Sequence, residues 1–380
     1  MEYRNIGKTG MSASVIGLGA EHLDGKPYTT VEATIHAALE QGINIMDVFM
    51  PGDEIRHNIG KALGNRRKDV IIQGHIGSVD LREQYDISRD LPICKAYFEK
   101  LLALLGTDYI DVGMLFFVDS DEALKQIQTN GIADYALELK QKGVIRAIGA
   151  SSHNPTSACK LLETGIIDLL MFSINPAFDM TPAGTDVLDT FETLSQQQYV
   201  TIDPARAGLY QYCEQQGISI TTMKTLGGGR LLSAEHSPFK KPMTVAQCIH
   251  YALTRPAVVS ALIGCQSVAH IEEAVSYLYK TNEQRDYTDI IRQYRGELVG
   301  QCVYCNHCQP CPVDIDIATI HKYLDIALLD KDNIPPSIVQ HYKSLAASGA
   351  DCIACGNCEE KCPFTVPIIE NMKYATELLV

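Results

Sequence analysis

The sequence of 380 residues predicts an α/β fold, a TIM (β/α)8 barrel followed by a small helical ferredoxin-like domain. Two observations indicate this architecture. Apolar, strand-like runs alternate with amphipathic helical stretches over about the first 280 residues, giving eight strand-like runs. Eight of the thirteen cysteines then fall in two short runs near the C-terminus. We therefore predict a barrel over residues 1–285 and a helical domain over residues 286–380.

The strand-like runs are nearly continuous in Ile, Leu and Val, a composition typical of parallel strands whose faces are both covered. An open, doubly wound sheet is the alternative fold, but no G-x-G-x-x-G motif follows the first strand. The predicted strands are residues 14–18, 43–47, 70–74, 109–116, 144–150, 167–174, 218–223 and 258–263.

In the stretches between the strands, apolar residues recur with the spacing of one helix face. Each of these predicted helices ends at or near a glycine. In the first of them, Val31, Ile35, Ala38 and Leu39 form one apolar face, and Gly42 ends the pattern. The predicted barrel helices include residues 30–41, 90–105, 134–143 and 203–217.

Beyond the barrel, two helix-like segments at residues 318–329 and 336–347 are separated by a turn that contains two prolines. No short internal repeat is evident in this part of the sequence. Because so small a unit buries little apolar core, we expect metal clusters to hold these helices together.

Each cysteine run has the spacing of an iron–sulfur motif. From Cys352 to Pro363 the chain reads C-x2-C-x2-C-x3-C-P, and the run from Cys302 to Pro312 is one residue shorter before its last cysteine. Zinc would favour two cysteine pairs with a longer spacer, and a disulfide framework would favour a small chain behind a signal peptide, which we do not see. The runs therefore predict two 4Fe–4S clusters, with the last cysteine of each run binding the other run's cluster. The predicted ligands are Cys302, Cys305, Cys308 and Cys362 for one cluster, and Cys352, Cys355, Cys358 and Cys311 for the other.

Charge and hydropathy exclude several classes of partner. The net charge of −14 and the lack of Lys and Arg clusters argue against nucleic acid. No apolar run reaches the roughly eighteen residues that a membrane-spanning helix needs. An acidic surface is compatible with a basic redox partner protein. Reduced cysteines and the lack of a targeting signal predict a cytoplasmic location.

Polar residues follow the predicted strands at the end where TIM barrels carry their active sites. Asp47 closes the second strand and His75 follows the third. We predict that His75 donates a proton and that Asp47 orients it, with loop capping by His75 as the alternative role. The glycine run after the seventh strand could bind phosphate or form a plain turn, and Lys224 is expected to pair with Asp47. The candidate cofactor-binding residues are Ser151, Ser152, Asn175, Lys224, Gly227, Gly228, Gly229, Arg230 and Gln266.

Several motifs in the first 280 residues or so resemble those of the aldo-keto reductases. The chain as a whole is similar to the subgroup of that family that carries a C-terminal domain with two 4Fe–4S clusters. The matching segments are residues 4–10 (RNIGKTG), 17–19 (GLG), 42–47 (GINIMD), 59–63 (IGKAL), 107–111 (TDYID), 145–149 (IRAIG) and 175–176 (NP).

This resemblance implies a carbonyl reductase that uses nicotinamide hydride, with an Asp, a Tyr proton donor, a Lys and a His at its active site. Asp47 matches the Asp, whereas the other three positions read Gly52, His75 and Phe116. The general acid of carbonyl reduction is therefore missing. Positions that contact the nicotinamide cofactor in the family also differ, and they read Ser152, Met171, Met223 and Ala274.

A hydride carries two electrons, whereas an iron–sulfur cluster carries one, so these departures favour a barrel mouth rebuilt for a reaction fed by the clusters. We predict an iron–sulfur oxidoreductase that transfers electrons between two 4Fe–4S clusters and a small organic substrate. An NADPH-dependent carbonyl reductase with an atypical proton donor and a non-catalytic electron-transfer protein are the alternatives. NADPH and flavin both stay open as additional cofactors.

Overall fold

The structure, a computed structural model, describes residues 1–81, 85–183, 185, 202–292, 300, 302, 304, 308–329, 331, 334–362 and 364–380. Its strands are β1 (Tyr3–Asn5), β2 (Ser12–Ser14), β3 (Ile16–Gly19), β4 (Ile45–Val48), β5 (Ile71–Ile76), β6 (Ser78–Asp80), β7 (Tyr85–Ile87), β8 (Ile110–Leu115), β9 (Ile145–Ser152), β10 (Leu169–Ser173), β11 (Ser219–Met223) and β12 (Val258–Gly264). Its α-helices are α1 (Tyr28–Glu40), α2 (Asp53–Leu63), α3 (Leu91–Leu105), α4 (Asp121–Thr129), α5 (Ile132–Gln141), α6 (Pro155–Leu162), α7 (Pro176–Asp179), α8 (Pro204–Gln216), α9 (Val245–Leu253), α10 (Val268–Ser276), α11 (Asn282–Arg285), α12 (Thr288–Arg292), α13 (Ile317–Leu329), α14 (Pro336–Lys343), α15 (Asn357–Lys361) and α16 (Ile368–Leu379).

Eight strands close into a parallel barrel, as the apolar runs predict. Around the barrel the order is β10, β11, β12, β3, β4, β5, β8 and β9, and neighbouring strands are parallel. The prediction of a TIM barrel is confirmed, and closure of the sheet excludes the open-sheet alternative. Each observed strand bound lies within two residues of the predicted one.

Side chains alternate along each strand between the barrel interior and the side that faces the helices. Ile45 of β4 and Ile71 of β5 both belong to the apolar core inside the barrel. Because residues two apart face the same side, Asp47 lies above Ile45, and Gln73 and His75 lie above Ile71. The strand pattern therefore directs three polar side chains into the interior near the carboxyl ends of two adjacent strands.

The helices lie where the sequence period predicts them, and their ends follow local rules. Asp90 caps α3 by accepting a backbone hydrogen bond, and Gly106 ends that helix with a φ of 64°. Helix α14 ends at Lys343, earlier than the predicted residue 347, because the N–H of Leu345 turns to the carbonyl of Tyr342.

A short antiparallel hairpin of β6 and β7 follows β5 at the barrel mouth and is not predicted from the sequence. Each strand has three residues, too few for an alternating pattern to be recognised. Tyr85 is 48% exposed, and its ring meets Phe49 edge-on at 5.6 Å between centroids. The hairpin thus covers one side of the mouth.

Helices α13 and α16 pack against each other in the C-terminal part of the chain. Ile320 and Leu324 of α13, and Met372 and Leu379 of α16, are buried. The helical character is as predicted, whereas the ferredoxin-like fold and the domain boundary at residues 285 and 286 stay predictions. Across the described residues, no helix combines the length and the apolar character needed to cross a bilayer.

Candidate active site and cysteine cavity

Asp47 and His75 form a hydrogen-bonded pair inside the barrel mouth. The register of β4 and β5 sets Asp47 beside Gln73, with His75 two residues further along. His75 Nε2 lies 2.8 Å from Asp47 Oδ1, and Gln73 Nε2 donates to the same oxygen at 3.2 Å. Both members of the pair are about 2% exposed. The carboxylate therefore fixes the imidazole orientation and favours a proton on Nε2.

The other nitrogen of His75 is buried without a partner. Among the described residues, neither His75 Nδ1 nor Gln73 Oε1 has a hydrogen-bond partner, and the same holds for the hydroxyls of Ser173, Thr221 and Ser260. Unsatisfied buried polar atoms are uncommon in folded proteins and often mark sites that a ligand or water completes. A free imidazole nitrogen beside an oriented carboxylate can give or take a proton.

An aromatic wall flanks the His75 ring. Phe116, which follows β8, meets His75 edge-on at 5.2 Å, and Phe49 stacks on Phe116 at 5.9 Å between centroids. Phe116 is 5% exposed. Apolar walls keep water away from the pair and so strengthen its electrostatic interactions.

A second histidine–carboxylate pair lies at the rim after β8 and β9. His153 Nδ1 is 2.9 Å from Asp119 Oδ2, and the Ser152 hydroxyl donates to Asp119 Oδ1 at 2.9 Å. Burial raises the pKa of Asp119, but the hydrogen bonds and charge of His153 outweigh burial and hold it below its usual value. Asp119 and His153 are 34 residues apart in the sequence, and only barrel closure brings them together.

Three predicted cofactor-binding residues have their polar groups engaged within the protein. Asn175 caps α7 by accepting from Phe178 N at 2.9 Å, and its amide donates to the Lys224 carbonyl at 2.8 Å. The Ser151 hydroxyl accepts from Phe117 N at 2.9 Å, and Ser152 bonds to Asp119 and the neighbouring backbone. Their assignment to a cofactor stays a prediction.

The glycine run forms a tight turn after β11. Gly227, Gly228 and Gly229 all have positive φ, and the N–H groups of Gly227, Gly229 and Arg230 donate to carbonyls within the turn. These N–H groups are therefore not directed at a phosphate, and the plain-turn interpretation describes the geometry. Arg230 is exposed, and phosphate binding by this turn stays untested.

The predicted ion pair between Lys224 and Asp47 is wrong. Asp47 bonds to His75 and Gln73 inside the barrel, whereas Lys224 is exposed. Gln266, after β12, is also exposed, and its N–H donates to His270 Nδ1 at 3.4 Å.

Four cysteines from the two runs line one cavity in the C-terminal domain. Cys311 of the first run meets Cys352, Cys355 and Cys358 of the second, and the other lining residues are apolar. The space between these residues is partly open to solvent. Cys355 is exposed, and the other three thiols are partly buried. This foursome is the one that the sequence predicts for the second cluster.

The two cysteine runs also share a local backbone geometry. Tyr304 and Ala354, each two residues after the first cysteine of a run, have φ of 54° and 53°. Asp314 and Thr365, each three residues after a last cysteine, have φ of 55° and 51° and donate to that cysteine's carbonyl. Non-glycine residues seldom adopt positive φ, so the agreement at matched positions is informative.

This repeated geometry corrects the expectation that the domain holds no short internal repeat. Helices α13 and α16 begin at matched positions, each six residues after the last cysteine of its run. The sequence signal was available, because Cys311-Pro312 and Cys362-Pro363 are followed at the same spacing by apolar residues.

The remaining predicted ligands are less completely described. Cys302 and Cys308 belong to the first run, Cys362 ends the second, and Cys305 lies outside the described residues. Gly300 N donates to the Phe364 carbonyl at 2.8 Å, so the start of the first run lies beside the end of the second. Among the residues that the structure describes, no group of three His, Cys, Asp or Glu side chains is arranged to bind a metal ion.

The barrel is similar in sequence and in structure to proteins of one enzyme family. A family model described as the aldo/keto reductase family matches residues 15–247. An uncharacterized oxidoreductase of Bacillus subtilis, YqkF, is 28% identical over 294 residues, covering 72% of this chain and 90% of the relative. L-galactose dehydrogenase of Arabidopsis thaliana is 27% identical over 309 residues, covering 73% and 88%. The holo form of an aldo-keto reductase from Bacillus halodurans superposes with a TM-score of 0.57 at 21% identity, covering 78% of this chain and 97% of that one.

Proposed function

Because the chain belongs to the aldo/keto reductase family, we propose that this oxidoreductase reduces a small organic substrate with single electrons from two 4Fe–4S clusters. The eight C-terminal cysteines would hold the clusters, and His75, oriented by Asp47, would be the proton donor at the barrel mouth. The family assignment supports an oxidoreductase of aldo-keto reductase type. The clusters and the altered proton donor are the parts that need testing.

The observation that carries the proposal is the crossed set of cysteines around one cavity. Cys311 is far in sequence from Cys352, Cys355 and Cys358, yet all four line the same apolar space. A chain in which each run bound its own metal would not need Cys311 beside the second run. The crossed arrangement is the one expected of two-cluster ferredoxins.

The donor set fits a 4Fe–4S cluster better than a single ion. Thiolates are soft ligands that suit iron–sulfur clusters, and apolar surroundings are compatible with such a cofactor. A tetrahedral zinc draws its four sulfurs to about 2.3 Å from one centre, whereas a four-iron cluster holds them farther apart. Four thiols from two segments that line one cavity agree with a cofactor that takes four thiolate ligands. When bound, a cluster supplies one electron at a time at this site.

At the barrel mouth, this chain's own residues would supply the proton. Asp47 accepts the Nε2 proton of His75 and so leaves Nδ1 as the nitrogen that has no partner among the described residues. In the imidazolium form, Nδ1 carries the proton that passes to the substrate, and Asp47 stabilises the positive charge until transfer. The aromatic wall of Phe116 and Phe49 limits water around that proton.

Family members usually use NAD(P)H, but the residues here suit a nicotinamide poorly. Both ends of the Asn175 amide are engaged, and so are the hydroxyls of Ser151 and Ser152. Met171 offers a thioether, which accepts from Gln73 Nε2 at 3.4 Å, instead of an amide that could pair with a carboxamide. We therefore assign no hydride step to this mouth.

Purification without oxygen tests the proposal in one preparation. Two clusters predict about eight irons per chain, a broad visible absorbance and a reduced-state electron paramagnetic resonance signal. Titration with NADPH should cause neither fluorescence quenching nor a protected nicotinamide absorbance. Colourless protein, or protein that carries zinc, would contradict the cluster assignment. Stoichiometric NADPH binding with turnover of a carbonyl compound would instead support the carbonyl reductase alternative.

Substrate, partner and location are parts of the same proposal. A small compound with a polarised C=O or C=C bond suits a proton donor placed at a barrel mouth. Since one relative is named L-galactose dehydrogenase, hydroxylated carbonyl compounds belong in the test panel. A basic redox protein that delivers electrons and a cytoplasmic location follow from the acidic charge and the reduced thiols.

A further inference from the structure

The pair of Asp119 and His153 has no role in the function proposed above. His153 directly follows β9, which ends at Ser152 at the mouth of the barrel. The Asp119 carboxylate accepts from His153 Nδ1 at 2.9 Å and from His153 N at 2.6 Å. Side chain and backbone together fix the histidine at the rim of the mouth.

The second nitrogen of His153 is left available. Its Nε2 makes no hydrogen bond among the described residues, and the side chain is 10% exposed. The ring lies against Phe117 at 4.9 Å between centroids. His153 therefore resembles His75 in one respect: a carboxylate holds one nitrogen, and the other is free for a ligand.

The surface under the His153 ring is itself constrained. Phe117 has a φ of 54°, an unusual conformation for a bulky residue. Arg89 Nη2 donates to the carbonyls of Phe116 and Phe117 at 2.8 Å each, and Phe117 N donates to Ser151. Backbone strain that the surroundings fully support is typical of functional sites. The charged groups around the pair are Arg89, whose charge acts on Asp119, and Arg206, whose Nη2 donates to the His153 carbonyl at 3.1 Å.

The number of protons that the proposed reduction consumes suggests a role for the pair of Asp119 and His153. In hydride reduction of a C=O or C=C bond, one hydrogen comes from the hydride and a single proton completes the product. When two separate electrons are supplied by a one-electron donor, both hydrogens must arrive as protons: the double bond gains two electrons and two protons, and one C–H bond and one C–H or O–H bond form. A buried histidine such as His75 would have to be reprotonated between the two transfers, whereas two histidines can each supply one proton.

We infer that His153 is a second proton-transfer residue of the barrel mouth, held by Asp119 and acting with His75 on the same substrate. The inference rests on the proposed single-electron function. Asp119 acts as a positioning residue, since it fixes Nδ1 and leaves Nε2 as the transferring atom. Phe116 and Phe117 lie between the two histidines, with ring contacts of 5.2, 6.0 and 4.9 Å along the row. In this proposal each histidine delivers its proton to a different atom of the substrate.

The test uses the full-length protein purified without oxygen, with reduced methyl viologen as the one-electron donor. The probe substrates are 2-cyclohexen-1-one and diacetyl, and the solvent is D₂O. The expected product carries two deuterium atoms on newly formed bonds, counting the exchangeable O–D of an alcohol as one. We expect His153→Gln to slow turnover by at least about tenfold, as for loss of a general acid, with unchanged iron content. His57→Gln, at an exposed histidine of α2, is the matched control and should leave turnover unchanged.

A second measurement does not depend on turnover. Diethyl pyrocarbonate modifies accessible imidazole nitrogens, and peptide mass mapping locates the modified residues. We expect modification of His153 and of His57, and protection of His153 alone when 2-cyclohexen-1-one is added. An unmodified His153 beside a modified His57 would overturn the inference, even if neither probe were reduced.

The two proposals fail in different ways. Transfer of deuterium from labelled NADPH to the product would overturn the single-electron function and, with it, the need for a second proton donor. Two solvent deuterium atoms combined with full activity of His153→Gln would leave the single-electron function standing and reject the role of His153.

Discussion

The barrel mouth and the cysteine cavity differ in what surrounds their reactive side chains. At the mouth, polar side chains satisfy one another: Asp47 holds His75, and Asp119 holds His153. In the C-terminal part of the chain, four thiols line one cavity whose other lining residues are apolar. Besides these pairs, several buried polar atoms inside the barrel have no partner among the described residues, and His75 Nδ1 and Gln73 Oε1 are two of them. The four thiols differ, because apart from one another they have only apolar residues around the cavity.

The difference shows that strand register alone is enough to form the pair at the mouth, because Asp47 at the end of β4 lies beside His75 on β5. The cysteine cavity depends instead on the packing of segments that are distant in sequence, since its thiols come from both cysteine runs. We therefore expect substitutions in the two regions to have separable effects on iron content, turnover and stability.

The largest effect is expected at Cys311. Replacement by Ala removes one thiol from the cavity lined by Cys352, Cys355 and Cys358, so iron should fall from about eight to about four per chain and turnover should cease. Cys159→Ala is the matched control, because burial raises the pKa of the Cys159 thiol and it lies in barrel helix α6. Iron assay and spectroscopy of both variants give the answer. Unchanged iron in Cys311→Ala would break the crossed assignment.

The next effect is expected at His75. His75→Gln keeps a hydrogen bond to Asp47 but removes the acid, so turnover should fall by about 10² to 10⁴. Iron content should not change, because the substitution lies inside the barrel. Steady-state rates and iron assay on the same sample separate the two regions. Full activity of this variant would reject His75 as the donor.

A core substitution should affect the stability of the barrel without touching either site. Phe98 of α3 is 1% exposed in the main apolar core. Phe98→Ala should lower the free energy of unfolding by about 3–5 kcal/mol, through lost burial and a cavity. Urea unfolding followed by circular dichroism measures the loss. Reduced iron content in the folded variant would show that the two regions are more strongly coupled than we expect.

The smallest effect is expected at Asp119. Asp119→Asn weakens hydrogen bonds from His153 and Ser152, so it should cost about 1–3 kcal/mol of stability at pH 7. Because the folded pKa of Asp119 is held below its ordinary value, its stabilising contribution is present above a pH of about 4 and is lost as pH falls through the folded pKa. Urea unfolding between pH 7 and pH 3 should show wild type and variant converging at low pH. A stability difference that does not depend on pH would contradict this account.

Local pattern was sufficient for the barrel elements. Strands and helices were predicted nearly in place because burial on both strand faces leaves apolar runs, and glycines end helices. The β6–β7 hairpin was missed because strands of three residues carry no periodic signal. Lys224 was assigned the wrong partner, because its position directly after β11 does not show whether the side chain is buried in the barrel or exposed.

What the sequence determined by itself is the set of elements, the side of each strand that carries Asp47 or His75, and the spacing of the thiols. These follow from covalent geometry, which repeats every 2.0 residues along a strand and about 3.6 along a helix. Tertiary structure alone decided which distant groups meet: the second pair of Asp119 and His153, the internal bonding of Asn175, and Cys311 beside the other run. Such contacts depend on barrel closure and helix packing, which bring together residues whose separation along the chain carries no information about their distance.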